Sequence, residues 1–236
     1  MIKEKLIALS IAGFDPTGQA GVLRDISVFL SMDLSFRAIP SALTVQSTSK
    51  VFNTIPIPIE YIKETLDRIE VQVDGVKIGM LYNDEVVKTV ARFLTGRKVP
   101  YVVLDPVIRS SSGYPLISEE GLDSLKNLLI PISSFITPNL EEGFSLTSEK
   151  EPLRILGKLH SLGAKYIVIT GVDGKDDYFF DGNRVTIIKG KPFNFSFHGS
   201  GCFYSSYLLT RLLLGDSPLN ACKNTKRAIE KLSKIY

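Results

Sequence analysis

Short apolar runs alternate with segments of helical periodicity, and this alternation constrains the fold more than any other feature. Strands and helices in alternation build a mostly parallel sheet that helices cover on both faces. We therefore predict an α/β fold, with one domain over residues 1–236 because no linker or repeat interrupts the pattern. Residues 55–58 are predicted to form an extended connection. The predicted strands lie at residues 6–12, 36–44, 74–80, 101–104, 135–137, 166–170, 177–180 and 184–188, and the main predicted helices at residues 22–32, 59–71, 83–94, 119–129, 152–162, 208–214 and 219–235.

The composition is that of an ordinary globular protein. A chain of 236 residues suits one large α/β domain, and 44% hydrophobic with 22% charged residues is typical of such domains. The net charge of +3 is small. Basic residues near the C-terminus alternate with apolar ones at helical spacing, which favours a solvated helix face over a nucleic-acid surface, so we expect no nucleic-acid partner. They are Lys223, Lys226, Arg227, Lys231 and Lys234.

The two cysteines, Cys202 and Cys222, provide neither a disulfide framework nor metal-ligand spacing, which favours a reducing cytoplasm. The N-terminus runs into the first predicted strand without a signal-peptide pattern. No apolar run approaches the ~20 residues that a membrane span needs. We therefore expect a cytoplasmic protein that has no membrane partner.

A turn of small residues after an apolar, strand-like run that ends at Phe197 is the strongest candidate for chemistry. Gly199, Ser200 and Gly201 open a predicted helix, and their backbone N–H groups together with the helix dipole would bind an anion such as a phosphate. Cys202 lies in the first turn, where we expect the helix terminus to lower the thiol pKa and make the side chain a base. The alternatives are an ordinary glycine turn and a cysteine that is only a small buried hydrophobe.

Polar side chains also follow two earlier predicted strands. Gln46 comes just after the strand at residues 36–44, and its amide can donate and accept at once, which suits the edge of a heterocycle. A loop-capping amide is an equally good interpretation of this residue. Asp105 follows a buried strand, where a carboxylate either caps a turn or serves a cation.

Asn139 and Glu142 open a helix after the strand at residues 135–137. Their spacing fits a capping box, and it also fits two ligands aimed at a hydrated Mg²⁺ ion. The glycine-rich loop at residues 13–21 follows the first strand, where open α/β sheets bind ligands. This loop matches neither a P-loop nor the dinucleotide-binding fingerprint.

Taken in order, these motifs resemble the ribokinase-like superfamily and, within it, the hydroxymethylpyrimidine/phosphomethylpyrimidine kinases of thiamine biosynthesis. The match runs from about residue 7 to residue 214. Its pieces are Ala12-Gly13-x-Asp15, Ala20-Gly21, Asp25, Leu43-Thr44-x-Gln46, Val76-Lys77-Ile78-Gly79-Met80, Leu104-Asp105-Pro106-Val107, Ile136-Thr137-Pro138-Asn139-Leu140-x-Glu142 and His198-Gly199-Ser200-Gly201-Cys202.

The resemblance implies a three-layer αβα sandwich, use of ATP and Mg²⁺, and a homodimer. It implies an anion hole at residues 199–202 and a catalytic base at Cys202, where most of the superfamily has Asp. The residues implied to contact an aminopyrimidine substrate are Gly13, Asp25, Gln46, Met80, Val107 and His198. Those implied to bind the nucleotide are Asp105, Asn139, Thr170 and Gly171, with Asn139 and Glu142 at the metal.

The chain departs from the family pattern near the expected phosphates. The family has Lys where this chain has Thr170, and commonly another Lys at Ser111. Arg109 and Lys175 are the cations that we expect to replace them, and weaker nucleotide binding would follow if they do not. Other departures are Phe14, Pro16, Thr17, Gln19, Phe197 and Phe203, where the family usually has Ser, Ser, Gly, Gly, Thr and Thr.

Three functions follow from these patterns. The first is ATP-dependent phosphorylation of 4-amino-5-hydroxymethyl-2-methylpyrimidine, of its monophosphate, or of both. The second is a non-catalytic pyrimidine-binding or regulatory protein, which the lost lysines favour. The third is a pyridoxal-type kinase, since a related hydroxymethyl ring could bind. Gln46 and Met80 favour the pyrimidine.

Overall fold

The computed structural model describes residues 5–191 and 198–232, which form a nine-stranded sheet between two layers of helices. The strand-like run expected to end at Phe197 and the last residues of the final predicted helix lie outside this part of the chain. The strands are β1 (Ile7–Phe14), β2 (Ser35–Gln46), β3 (Val51–Pro56), β4 (Gly75–Ile78), β5 (Tyr101–Leu104), β6 (Phe135–Ile136), β7 (Tyr166–Val172), β8 (Asp176–Phe180) and β9 (Val185–Ile188).

The strand order is β3-β2-β1-β4-β5-β6-β7-β8-β9. Each pairing from β2 through β7 is parallel, whereas β3, β8 and β9 are added antiparallel at the two ends. The predicted α/β class is therefore confirmed. Because parallel strands end at one edge, the segments that follow β1, β4, β5, β6 and β7 converge there.

Eight α-helices cover the sheet in the described part of the chain. Helices α2 to α6 pack on one face and α1, α7 and α8 on the other, since their buried side chains belong to two separate apolar clusters. Alternate residues of a single strand serve the two clusters, as Val102 and Val103 of β5 do. The helices are α1 (Gly21–Ser31), α2 (Ile59–Asp67), α3 (Asp84–Thr95), α4 (Glu119–Ser124), α5 (Leu140–Thr147), α6 (Pro152–Ser161), α7 (Ser200–Leu213) and α8 (Pro218–Leu232).

Helix α2 ends at Asp67 and not at residue 71 as predicted, and three other elements also differ from the sequence prediction. Residues 51–56 form strand β3, where an extended connection was expected at residues 55–58, because antiparallel pairing with β2 stabilises a largely exposed edge. Strand β2 reaches Gln46, so this residue ends the strand instead of following it. The predicted helix at residues 119–129 is α4 continued by a π-helical turn over Leu125–Leu129.

A helix cap and a hairpin that the sequence predicts are both present in the structure. Asn83 caps α3 by accepting a hydrogen bond from the Val86 N–H, and β8 and β9 form the predicted hairpin. Across residues 5–191 and 198–232, we find no helix with the length and apolar character that a membrane crossing requires.

Gly18 in the loop after β1 and Gly21 at the start of α1 report how tightly this part of the chain is packed. Both Gly18 and Gly21 have left-handed backbones, but a Cβ at Gly21 would lie 2.0 Å from the carbonyl oxygen of Gly13, whereas one at Gly18 meets nothing within 4 Å. We predict that Gly18→Ala costs about 1 kcal/mol of unfolding free energy through backbone strain alone. Gly21→Ala should cost at least about 2 kcal/mol more, because the backbone must also shift.

Urea unfolding of both variants measures these losses. Gly18→Ala is the matched control for left-handed strain, so the difference between the two variants reports the collision with Gly13. Equal losses would contradict the packing described here.

Candidate active site

A single cleft of about 910 Å³ opens at the carboxyl edge of the parallel strands. The sequence-predicted site residues that line it come from the carboxyl ends of β1, β2 and β7, from the segments that follow β4, β5 and β6, and from the start of α7. They are Gly13, Gln46, Met80, Asp105, Val107, Asn139, Glu142, Thr170, Gly171, His198, Gly199, Ser200, Gly201 and Cys202. Asp25 is the exception, since it does not line the cleft.

The start of α7 forms the predicted small-residue turn. Gly199 precedes the helix with a left-handed backbone at φ 80°, and a Cβ there would lie 1.7 Å from the carbonyl oxygen of Gln19. Only glycine allows this approach, which holds the turn against the loop that follows β1. The first N–H groups of an α-helix have no partner within the helix, so those at residues 200–202 are available to an anion in the cleft.

Cys202 does not have the lowered pKa that its place at the helix start predicts. Burial in the cleft wall raises the pKa of the thiol to about 12; Lys77 lowers it, while Asp105 and Asp25 raise it further. The prediction from the helix terminus is wrong because burial of the thiol outweighs it, and two carboxylates from other elements add to the rise in pKa. At neutral pH the side chain is therefore a thiol in this state of the protein.

Asp25, which was expected to contact the substrate ring, lies behind the cleft wall and does not line the cleft. Its side chain is completely buried, accepts a hydrogen bond from the Ser10 hydroxyl at 2.6 Å, and lies 3.1 Å from the Lys77 ammonium. Lys77 in turn is 3.6 Å from Asp105, which does line the cleft. Burial raises the pKa of Asp25, and the charge of Lys77 opposes that shift.

An apolar slot lies on one side of the cleft. Met80 packs so close to Gly13 that a Cβ at the glycine would lie 2.7 Å from the methionine sulfur. Met80, Val107 and Leu116 belong to one apolar cluster and all line the cleft. Because Gly13 has no side chain, Met80 packs directly on the backbone, and the apolar wall that Met80, Val107 and Leu116 form could accept the face of a flat ring.

Gln46 and His198 meet above this slot. The His198 Nε2 atom is 3.0 Å from Asp15 Oδ2 and 3.1 Å from Gln46 Nε2. A ring nitrogen that donates to the Asp15 carboxylate cannot also accept from an amide N–H. If the oxygen and nitrogen of the Gln46 amide exchange places, the oxygen can share the His198 N–H with Asp15 in a bifurcated hydrogen bond, and the N–H₂ group is then free to donate to a ring nitrogen in the cleft. The loop-capping alternative for Gln46 is not what the structure shows.

Asn139 and Glu142 form the capping box of α5. The Glu142 N–H donates to Asn139 Oδ1 and the Asn139 N–H to Glu142 Oε2, both at 2.9 Å. Burial raises the pKa of Glu142 to about 8, and the neighbouring charge of Asp105 adds to that rise. Two acidic groups that repel each other in a cleft fit a cation between them, although capping already occupies part of each side chain.

The arrangement fits Mg²⁺ better than a metal held entirely by protein. Within the described residues, no group of three or more His, Cys, Asp or Glu side chains is arranged around a metal position. Mg²⁺ typically takes one or two carboxylates and completes its shell with water and substrate phosphates. Glu142 with its neighbours therefore suits a metal that arrives with a nucleotide.

The far end of the cleft contains a cation that the sequence analysis placed elsewhere. Lys226 was expected on a solvated helix face, yet it is 3% exposed and its ammonium donates to Asp177 Oδ1 at 2.9 Å. The same oxygen accepts from the Gly171 N–H at 3.0 Å, beside Thr170. Lys226 and Arg109 line the cleft, whereas Lys175 does not. The signal for Lys226 was its place on the apolar stripe of α8, between Cys222 and Ile229.

Asp15 gives a pH-dependent test of the contacts in this site. Burial would raise its pKa, but hydrogen bonds from His198 and Thr17 outweigh burial and lower the pKa to about 2. A lowered pKa contributes stability above the unfolded value near 4 that is lost as the pH falls through about 2. We predict that Asp15→Asn costs about 2 kcal/mol of unfolding free energy at pH 7 and about half as much at pH 3.

Urea unfolding of Asp15→Asn at the two pH values measures this difference. Asp123→Asn is the control, because the Asp123 side chain is 72% exposed and its removal should change little at either pH. A loss from Asp15→Asn that is the same at pH 7 and pH 3 would show that the carboxylate charge is not what stabilises the loop.

Comparisons with known proteins agree with this geometry. The sequence model of the phosphomethylpyrimidine kinase family matches residues 15–234. The hydroxymethylpyrimidine/phosphomethylpyrimidine kinase of Aquifex aeolicus is 39% identical over 246 aligned residues, which cover 97% of this chain and 94% of that protein. The corresponding protein of Bacillus subtilis is 32% identical over 89% of this chain and 82% of its own length.

Solved structures share the fold. The crystal structure of phosphomethylpyrimidine kinase from Clostridium difficile 630 superposes with a TM-score of 0.85 at 28% identity, covering 97% of this chain and 99% of that one. An ADP complex of Bacillus subtilis pyridoxal kinase gives a TM-score of 0.86 at 27% identity over 95% and 90% of the two chains. With a ribokinase-like αβα fold, matched sequence over nearly its whole length and a cleft built from the motifs above, this chain belongs to the phosphomethylpyrimidine kinase family.

Proposed function

We propose that this protein transfers the γ-phosphoryl group of ATP to 4-amino-5-hydroxymethyl-2-methylpyrimidine, to its monophosphate, or to both. One observation carries the proposal: a helix-start anion turn with a thiol lies in the same cleft as an apolar slot topped by an amide. A ring in the slot and a phosphate at the turn would meet at Cys202. Close alignment and charge neutralisation are the main requirements of phosphoryl transfer.

The slot explains recognition of the ring. Met80 and Val107 would pack on its faces, and the Gln46 amide would donate to a ring nitrogen while its oxygen stays with His198. A buried amide that loses its partner costs about 1–3 kcal/mol, so rings without an acceptor at that edge would bind poorly. Asp25 acts on this pocket indirectly, through the charges behind the wall.

The anion turn would stabilise the transferring group. Backbone N–H groups at residues 200–202 would donate to its equatorial oxygens as charge develops on them. The hydroxyl oxygen of the substrate forms a new bond to the γ-phosphorus while the bond to the ADP oxygen breaks. The hydroxyl proton passes to Cys202, which must first have lost its own proton because its resting pKa is about 12.

The nucleotide end would be served by Asn139, Glu142, Asp105, Thr170 and Gly171. Glu142 and Asn139 would hold Mg²⁺, and the metal when bound supplies positive charge to the phosphates. Lys226 also lies at this end, but its ammonium is paired with Asp177, so Arg109 is the other cation of the cleft lining that could serve the phosphates in place of a lysine at Thr170. Pyridoxal kinase activity is the alternative that the shared fold leaves to experiment.

We also propose that the protein works in the cytoplasm as a homodimer. Both cysteines are free thiols, as a reducing compartment favours. The edge strand β3 exposes apolar side chains, with Phe52 59% and Ile55 48% accessible, and a second copy would cover them.

Sedimentation should give a mass twice that of one chain, and the double variant Phe52→Ser, Ile55→Ser should lower the measured mass toward that of one chain. A wild-type monomer would contradict the dimer.

The decisive assay offers ATP and Mg²⁺ with three acceptors: the pyrimidine alcohol, its monophosphate and pyridoxal. We predict the highest kcat/KM for one of the two pyrimidines. A higher value for pyridoxal would replace the proposal with the pyridoxal alternative, and no transfer to any acceptor would support the binding protein.

Cys202→Ala separates the two pyrimidine steps. The alcohol has a proton to lose, whereas the acceptor oxygen of the monophosphate is already anionic and needs no base. We predict that Cys202→Ala lowers kcat for the alcohol by about 100-fold or more with little change in KM. If the enzyme also phosphorylates the monophosphate, that rate should fall much less. A wild-type rate with the alcohol would remove Cys202 from the mechanism.

A further inference from the structure

A completely buried lysine lies behind the wall of the cleft and has no part in the steps described so far. Lys77 is on β4, and its side chain is 0% exposed. Its ammonium is 3.1 Å from Asp25 Oδ2 and 3.6 Å from Asp105 Oδ2. Burying an ammonium costs free energy unless carboxylates compensate the charge, so a buried lysine at this position suggests a role for its charge.

The surroundings of Lys77 form a continuous polar chain through the apolar interior. The Ser10 hydroxyl donates to Asp25 at 2.6 Å, and the Ser205 hydroxyl donates to Asp105 at 3.1 Å. The five side chains come from β1, α1, β4, α7 and the segment just after β5. One end of this chain reaches α7 within one turn of Cys202.

The backbone leaves space for the ammonium at one position. A Cβ added at Gly79 would lie 2.8 Å from Lys77 Nζ and 2.9 Å from the Ala12 Cβ. The lysine side chain therefore folds back over a glycine that has no room for a side chain of its own. This fit fixes where the positive charge lies relative to β5 and α7.

Among the charged side chains that act on the Cys202 thiol, Lys77 is positive, whereas Asp25 and Asp105 are negative. Asp25 from α1 and Asp105 after β5 both act against a negative charge on the sulfur, and Lys77 acts in its favour. The Gly21 N–H, from the start of α1, also favours the thiolate. The geometry agrees, since a Cβ at Gly201, the residue before Cys202, would lie 3.7 Å from Asp105 Oδ1, and the other oxygen of Asp105 is 3.6 Å from the Lys77 ammonium. A thiolate next to these carboxylates would be disfavoured if the ammonium were absent.

We propose that Lys77 is a positioning residue for Cys202: its buried ammonium holds Asp25 and Asp105 in place and provides the positive charge that a thiolate at the start of α7 needs. The S–H bond of Cys202 breaks with loss of the proton to solvent, and the thiolate then accepts the proton of the substrate hydroxyl. The inference rests on the proposed role of Cys202 as base. Its test measures the thiol itself and needs no substrate.

The measurement is the rate at which iodoacetamide alkylates Cys202 between pH 7 and pH 10, located by peptide mass spectrometry. Only the thiolate reacts, so the rate reports the ionised fraction. Lys77→Met removes the charge and keeps an unbranched side chain that is one heavy atom shorter. We expect it to slow alkylation of Cys202 at a given pH by at least about tenfold and to lower kcat without raising KM for ATP.

A second variant should change the alkylation rate of Cys202 in the opposite direction. Asp25→Asn removes a carboxylate and keeps the ammonium, so alkylation of Cys202 should become faster than in the wild type. Loosening of the structure would speed alkylation in both variants, whereas the charge account predicts opposite changes. If Lys77→Met does not fold, the direction of change in Asp25→Asn still decides the matter.

Lys226→Met is the matched control, because it removes a buried ammonium that pairs with Asp177 at the other end of the cleft. It should leave the alkylation rate of Cys202 near the wild-type value. Equal or faster alkylation in folded Lys77→Met would overturn the proposal, as would slower or unchanged alkylation in Asp25→Asn. These outcomes are independent of which acceptor the kinase assay identifies.

Discussion

The close approach between the loop after β1 and the start of α7 decides where the functional groups of the cleft lie. Gly199 comes so near the Gln19 carbonyl, and Gly21 so near the Gly13 carbonyl, that neither position has room for a Cβ. The first contact holds the anion turn against the loop after β1, although Gly199 and Gln19 are 180 residues apart in sequence, and the second packs the start of α1 against Gly13, which borders the apolar slot. Phosphoryl transfer needs this alignment, since a displacement of about 1 Å between reacting groups can cost much of the rate.

The electrostatics of the cleft are divided between its two ends. Near the ring slot, hydrogen bonds from His198 and Thr17 keep Asp15 ionised, which fixes the donor direction of His198 and, through it, of Gln46. Near the phosphates, burial raises the pKa values of Cys202 and Glu142. A cation bound near these two side chains would lower their pKa values and favour the ionised forms, so we expect their charge to change when Mg²⁺ and the nucleotide bind.

The sequence predicted the α/β class and most element positions, and all of its candidate site residues except Asp25 line the cleft, because polar residues at strand ends converge in a parallel sheet. It failed where tertiary contacts decide. Strand β3 is largely exposed and gave no apolar alternation, and Lys226 was judged by its charged neighbours instead of by the buried stripe of Cys222 and Ile229. The thiol pKa of Cys202 depends on Asp25 and Asp105, whose proximity no local pattern reveals.

The central claim is that the ring slot and the anion turn hold one substrate across Cys202. A crystal structure with the pyrimidine alcohol, Mg²⁺ and a non-hydrolysable ATP analogue tests it most directly. We predict the ring between Met80 and Val107, its nitrogen on the Gln46 amide, and the hydroxymethyl oxygen within about 3.5 Å of the Cys202 sulfur and in line with the γ-phosphate at residues 199–202. A ring bound elsewhere, or a hydroxymethyl group directed away from Cys202, would contradict the account.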